Sequence, residues 1–439
     1  MESQGKKKTN GFRLIIVLSL IIIAGYGSSF GQIYTAKSQI VRITRSKDAI
    51  VKYPALSNDG EKLLYLSETR DLSNPEVKIK SIKIINADGT EEKVLFTDRT
   101  IRAPSPHDQS YLLCGTRPPL LSGDGTKAIF SLSINERFSL NDHYLGVVNT
   151  DGTGFRALEL KNVALSSINW KEKGFKDDTW SRISNYAVSN NGRRLVLIIK
   201  GHNGPRRFGF PSGLMVMHSD GQNQMTLFSP DFEEERWVWR SYPRKPYTEG
   251  GWAFALSGNG EKILIGAQSS VEKDDYDLYL MNWEGSALKK ITDFRDRFFT
   301  LADLSNDGQQ IVFFYGGKKR QGIGTYIISS DGTGLEYLKS IVADRVDFED
   351  MDSKGKRILY RHKNSGILMD LESKKETIIF HPKTPGYASS EGHFMDFPNF
   401  PSFWNPHIMT EDEVIITGTP KGRVWREFYL LTFTHPDIE

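Results

Sequence analysis

The sequence predicts an all-β fold, a β-propeller of seven four-stranded blades, from three observations. A glycine turn recurs in a fixed frame, a second turn falls between successive copies, and one strand near the N-terminus has no place in the repeats.

The first turn reads Ala55-Leu56-Ser57-Asn58-Asp59-Gly60 before the apolar run Leu63-Leu64-Tyr65. It returns at Asp124-Gly125, Asn191-Gly192, Asn259-Gly260, Asp307-Gly308 and Lys354-Gly355. Asn-Gly and Asp-Gly supply the positive φ angles of two-residue type I′ turns, so each copy is expected to be a tight hairpin. The second turn lies at Asp88-Gly89, Asp151-Gly152, Asp220-Gly221, Glu284-Gly285 and Asp331-Gly332. Two hairpins per repeat make a four-stranded unit, and such units set about a centre bury both faces of each sheet against their neighbours. That burial accounts for strands such as Leu195–Ile199, which are apolar throughout instead of alternating.

A degenerate seventh copy runs from Ile408 to Ile416, and the strand Phe428–Phe433 leaves its unit one strand short. The stretch Ser38–Arg45 has strand character and fills the gap, closing the ring by pairing N- and C-terminal strands and removing exposed edges. Six and eight blades are the neighbouring counts that the spacing leaves open.

The pattern of Pro54, Ser57, Asp59, Gly60, Leu63 and Tyr65, with partner turns such as Asn149-Thr150-Asp151-Gly152-Thr153, resembles the WD40-like (PD40) repeat of the TolB-like propellers across residues 38–433. The resemblance implies the propeller fold and says little about activity. The same repeat serves periplasmic scaffold proteins, propeller domains of peptidases and oligogalacturonate lyases. TolB itself carries an additional N-terminal domain and six blades, whereas this chain is expected to lack that domain and to have one blade more.

Residues 1–31 read as a signal peptide. Lys6, Lys7, Lys8 and Arg13 precede the apolar run Leu14–Ala24, and Ser29 and Gly31 suit a small-x-small cleavage site before Gln32. The run is shorter than the ~20 residues of a spanning helix, and an uncleaved N-terminal anchor is the competing reading. Residues 32–439 then form the propeller, periplasmic or secreted, and membrane-bound only if the leader is retained. With 57 basic and 54 acidic residues, the net charge of +3 is too balanced for a nucleic-acid partner. Cys114 is the sole cysteine, which excludes an intrachain disulfide, a Cys-based zinc site and c-type haem attachment.

If the two turns of each unit join its first to second and third to fourth strands, both lie on one face. The long connections, at residues 134–143, 159–183, 201–212, 229–251, 269–275, 316–322 and 381–403, then share the other. Long loops on a rigid scaffold are where binding and catalysis usually reside. Trp170, Trp180, Trp237, Trp239, Trp252, Trp404 and Trp425 fall in or at the ends of these connections, with Trp283 alone at a tight turn. Large loops need aromatic plugs, and Trp and Arg are also frequent at interaction hot spots.

The binding candidates centre on a basic aromatic ridge of Trp237, Trp239, Arg240 and Arg244, with Arg206 and Arg207 one connection earlier. Guanidinium and aromatic faces suit carboxylates, an acidic glycan or an acidic protein surface. The competing reading is a solvated loop in which Glu233–Glu235 pair with the arginines. His393, Trp404 and His407 complete the set.

No H-E-x-x-H or phosphate-loop motif occurs, the one G-x-S-x-G, Gly27–Gly31, falls in the leader, and no cofactor is expected. His107, His143, His202 and His381 lie beside connections, as do His393 and His407. The resemblance to oligogalacturonate lyases implies an axial metal held by histidines from several blades, yet no pair here has ligand spacing, and no metal ligand is assigned. Asp274, Asp275 and Asp277 lack the glycine and final glutamate of an EF-hand. The reading that fits is an exported, non-catalytic scaffold or subunit of a periplasmic or secreted complex, binding a protein partner through the long-loop face. The alternative is a metal-dependent carbohydrate-active enzyme resembling oligogalacturonate lyase.

Overall fold

A computed structural model describes residues 33–35, 37–44, 49–71, 73–74, 77–100, 111–113, 118–134, 144–160, 180–202, 209–228, 254–268, 276–293, 297–317, 324–338, 347–352, 354–362, 365–380, 407–408, 413–418 and 427–434. These residues form strands and turns without a helix. Two short strands come first, β1 (Ile33–Thr35) and β2 (Lys37–Arg42). The first sheet follows as β3 (Ala49–Leu56), β4 (Lys62–Arg70), β5 (Lys78–Asn86) and β6 (Lys93–Thr100). The second holds β7 (Tyr111–Leu113), β8 (Leu120–Leu121), β9 (Lys127–Ile134), β10 (Tyr144–Asn149) and β11 (Arg156–Glu159), with β7 and β8 both pairing to β9.

The third sheet is β12 (Trp180–Val188), β13 (Arg194–His202), β14 (Gly209–His218) and β15 (Met225–Phe228). The fourth is β16 (Phe254–Leu256), β17 (Lys262–Gln268), β18 (Tyr276–Asn282) and β19 (Lys289–Lys290). The fifth is β20 (Arg297–Leu304), β21 (Gln310–Gly317), β22 (Gly324–Ser329) and β23 (Glu336–Leu338). The sixth is β24 (Asp347–Met351), β25 (Arg357–His362), β26 (Ser365–Asp370) and β27 (Glu376–Phe380). The last is β28 (His407–Ile408), β29 (Glu413–Gly418) and β30 (Glu427–Thr434), with β2 as its fourth strand.

Apart from β7 and β8, which both pair with β9, sequence-adjacent strands pair antiparallel within each sheet, as a meander requires. The pairing of β2 with β30 runs from Lys37↔Thr434 to Arg42↔Tyr429, three residues shorter at its C-terminal end than the Ser38–Arg45 strand anticipated. β1 was not anticipated: it adds to β27 in parallel, from Ile33↔Glu376 to Thr35↔Ile378. β27 carries Glu376 and Thr377 buried, whereas the corresponding Glu92 beside β6 is exposed.

The core is a series of layers between neighbouring sheets. Ile129, Leu145 and Val147 of the second sheet pack with Leu195, Leu197 and Met217 of the third. Val196 and Val216 face Ile263 and Ile265 of the fourth, and Leu278 faces Ile311 and Phe313 of the fifth. Each central strand therefore buries both of its faces, which is why Leu195–Ile198 are all buried.

The turns differ from the type I′ expectation. Positive φ falls on Gly60 (73°), Gly125 (66°), Gly192 (65°), Gly260 (74°) and Gly308 (67°), and not on the Asp or Asn before each. Gly60 N donates to Ser57 O at 2.9 Å, closing a type I turn with a left-handed glycine after it. Serine supports this geometry: Ser57 Oγ donates to Asp59 Oδ1 at 2.5 Å and accepts from Lys62 N at 3.0 Å, tying the residue before glycine to the start of the turn.

Candidate functional site

Both sets of tight turns occupy one face, and they are bonded together there. Within each of the first six sheets, the second turn donates to the first: Ala87 N to Glu61 O (2.8 Å), Thr150 N to Thr126 O (2.9 Å), Ser219 N to Arg193 O (2.8 Å), Trp283 N to Glu261 O (2.8 Å), Ser330 N to Gln309 O (2.8 Å) and Leu371 N to Lys356 O (2.8 Å). Between sheets, Asn58 N donates to Gly123 O (2.7 Å), Asp124 N to Asn190 O (2.7 Å), Asn190 N to Gly258 O (2.7 Å) and Asn259 N to Asn306 O (2.9 Å). Side chains repeat the pattern, with Lys62 Nζ reaching Gly125 O (3.3 Å), Arg194 reaching Gly260 O (3.0 Å) and Lys262 Nζ reaching Gly308 O (2.9 Å). The polar groups of this face are largely spent on bracing the sheets against one another.

Residue size around this face alternates. Asn58, Asn190 and Asn306 stand on alternate sheets, with Gly123 and Gly258 between them. A Cβ on Gly123 would lie 2.4 Å from both Asn190 Oδ1 and Asn58 Nδ2, and one on Gly258 would lie 2.2 Å from Asn306 Oδ1. The glycines leave room for the amides of their neighbours. The letters were present in the sequence, and comparison of equivalent turn positions finds the alternation.

The long connections leave from the opposite end of the sheets. At that end of the third sheet His202 pairs with Trp180 and with Gly209. Arg206 and Arg207 fall between β13 and β14 in sequence, and Trp237, Trp239, Arg240 and Arg244 between β15 and β16. These six, with His393 and Trp404, lie outside the described residues. His407 is placed by its backbone alone: it pairs with Ile415, beside Ile408↔Val414, toward the turn end of β28.

A charged group at the long-connection end of the fourth sheet contains one of the aspartates weighed for calcium. Asp277 is 0% exposed; its Oδ1 accepts from Thr292 Oγ1 at 3.0 Å, and its Oδ2 lies 2.9 Å from Lys290 Nζ. Lys290 also bonds Asp293 Oδ1 at 2.7 Å, and these two carboxylates hold its ammonium above its ordinary pKa although burial acts in the other direction. The lysine supplies the charge that a metal would otherwise bring. Among the described residues no group of three His, Cys, Asp or Glu side chains could hold a metal ion.

Two further arrangements escaped the sequence reading. The hydroxyl of Tyr65 donates to Glu92, and that of Tyr360 donates to Glu376, at equivalent places in the first and sixth sheets. Where the same strand position is Phe130, the partner position holds Phe155, whose ring stacks on it with centroids 6.4 Å apart. The polar pairs thus satisfy a buried hydroxyl and are part of the packing. Trp283, 7% exposed, meets the Arg194 guanidinium at 5.1 Å and stacks on His218 at 5.3 Å across the seam of the third and fourth sheets. It plugs that seam.

No family model matches the chain, and no curated protein matches it. Solved structures do. An oligogalacturonate lyase in complex with manganese aligns over 93% of this chain and 99% of its own, with a TM-score of 0.55 and 12% identity. The chain is a β-propeller. The β-propeller domain of the Trilobed protease from Pyrococcus furiosus, described as having an open velcro topology, aligns at TM-score 0.48 and 13% identity, over 90% of this chain and 100% of its own. A putative TolB from Agrobacterium tumefaciens aligns at TM-score 0.35 and 12% identity, over 69% of this chain and 87% of its own. At such identity the likeness speaks to fold. Among the described residues of this propeller, no helix is long and apolar enough to cross a membrane.

Proposed function

We propose that the chain is an exported, non-catalytic β-propeller of the TolB-like, WD40-repeat type, which holds a protein partner of a periplasmic or secreted complex on its long-connection face. The ring closes as seven blades, with β2 as the outer strand of the last. One observation carries the reading: the tight turns bond to each other within six sheets and link the first five sheets along one face, so the chain has a braced base with its long connections leaving from the other end. A rigid base lowers the entropy lost when loops above it engage a partner. The aromatic and basic residues Trp237, Trp239, Arg240 and Arg244 fall between β15 and β16 in sequence and suit an acidic protein surface or an acidic glycan.

Metal content and turnover of the purified full chain separate this function from the enzymatic alternative. The expected result is no stoichiometric manganese and no cleavage of oligogalacturonate with manganese supplied. Stoichiometric metal together with cleavage would replace the scaffold by a metal-dependent lyase.

A further inference from the structure

Two of the braced turns contain Asn-Gly, at Asn191-Gly192 and Asn259-Gly260, where three others contain Asp59, Asp124 and Asp307. All five side chains make the same two bonds. Asn191 Oδ1 accepts from Ser189 Oγ (2.8 Å) and Arg193 N (3.0 Å), and Asn259 Oδ1 accepts from Ser257 Oγ (2.7 Å) and Glu261 N (3.0 Å). Asp124 Oδ1 accepts from Ser122 Oγ (2.6 Å) and Thr126 N (3.0 Å), and Asp307 Oδ1 from Ser305 Oγ (2.6 Å) and Gln309 N (2.9 Å). Only acceptor oxygens are used in common, so amide and carboxylate are interchangeable here.

In a relaxed chain an Asn-Gly pair deamidates. The glycine nitrogen loses its proton and attacks the asparagine Cγ, a C–N bond forms, and ammonia leaves. Water then opens the five-membered imide to aspartate or isoaspartate. Here the attacking nitrogens are engaged: Gly192 N donates to Ser189 O at 2.8 Å and Gly260 N to Ser257 O at 2.7 Å. Each turn is also tied to the next sheet, through Asn190 N to Gly258 O (2.7 Å) and Asn259 N to Asn306 O (2.9 Å). Freeing either glycine nitrogen therefore requires the seam beside it to open.

We propose that Asn191 and Asn259 are modification sites, closed to deamidation in the native ring and exposed when the seams joining the third, fourth and fifth sheets open. The two products have opposite consequences. Aspartate inherits the bonds that Asp59, Asp124 and Asp307 already make. Isoaspartate routes the backbone through the former side chain, adds a carbon between serine and glycine, and breaks the turn closure, so an opened seam is prevented from resealing.

The test is peptide-level mass spectrometry of the full chain held in native buffer and in denaturant, with isoaspartate-specific methylation to separate the products. Both sites should convert at least about tenfold more slowly in the native protein, as expected of a reaction gated by local opening. Ser189→Ala should speed conversion at Asn191 alone, and Ser257→Ala at Asn259 alone. The variant carrying Asn191→Asp and Asn259→Asp should melt with the parent. Equal native and unfolded rates at both sites would overturn the proposal, and a lower Tm for the aspartate variant would overturn the interchangeability. If a serine variant does not fold, the rate comparison and the aspartate variant decide by themselves.

Discussion

The hydroxyl of Tyr360 donates to the carboxylate of Glu376 inside the sixth sheet, where each residue is 1% exposed. Removing one donor from a buried carboxylate is more damaging than removing both partners. Tyr360→Phe is expected to cost about 2 kcal/mol in urea unfolding. Tyr360→Phe with Glu376→Leu should recover at least half of that loss, in the manner of the apolar pair at Phe130 and Phe155. A double variant no better than the single one would show that Glu376 is held by other groups.

The alternation of Asn and Gly makes a reciprocal prediction. Gly123→Ala places a methyl against Asn190 and Asn58 and should lower stability by about 1–2 kcal/mol, as overpacking does. Adding Asn190→Ala should relieve part of it and leave the share due to Asn58. If the second substitution makes matters worse, the amides brace the turns by a means other than filling the space above glycine.

Stability should fall at both ends of the pH scale. Burial pushes the Asp124 carboxyl up, but the hydroxyls of Ser122 and Thr126 hold it below its ordinary 3.8, and Ser305 does the same for Asp307. Folded values below unfolded ones mean stability that is present above about pH 4 and lost as the pH drops further. At the alkaline end, burial and then Glu92 raise the Tyr65 phenol above 10.0, and Asp293 and Asp277 raise Lys290 above 10.5 against its burial. Those contributions are complete below about pH 10 and lost above it. Thermal melts across the pH range should show both limbs, and Asp124→Asn should flatten the acid one.

Much of the fold was legible because turn chemistry is local. Ser57, Asp59 and Gly60 announce a hairpin wherever they occur together, and their recurrence announces the sheets. The turn type was misread because the Asp-Gly pair also suits type I′, and the choice shows only in the backbone, where positive φ falls on glycine alone. β1 was invisible for a different reason: Ile33-Tyr34-Thr35 is too short to signal a strand, and its pairing depends on β27, far away in sequence. Tyr65 with Glu92 required comparison between repeats. The Trp237–Arg244 ridge was legible as composition, and it lies outside the described residues.

Loss of β2 tests the ring. Deleting residues 37–42 exposes the edge of β30 and the apolar side chains beside it, so a sharply lower Tm is expected. A truncated chain that melts like the parent would mean that β30 needs no partner.

The proposed capture of a protein partner is tested most directly by Trp239→Ala combined with Arg240→Ala. Hot-spot truncations cost ~2 kcal/mol or more in binding, whereas exposed loop substitutions change stability by about 0.5 kcal/mol or less. The measurement is recovery of any protein that co-purifies with the full chain, taken alongside the Tm of the variant. Loss of that protein with Tm held within about 2–3 °C is the predicted result. Unchanged recovery, or a collapsed Tm that marks the tryptophan as a loop plug, would contradict it.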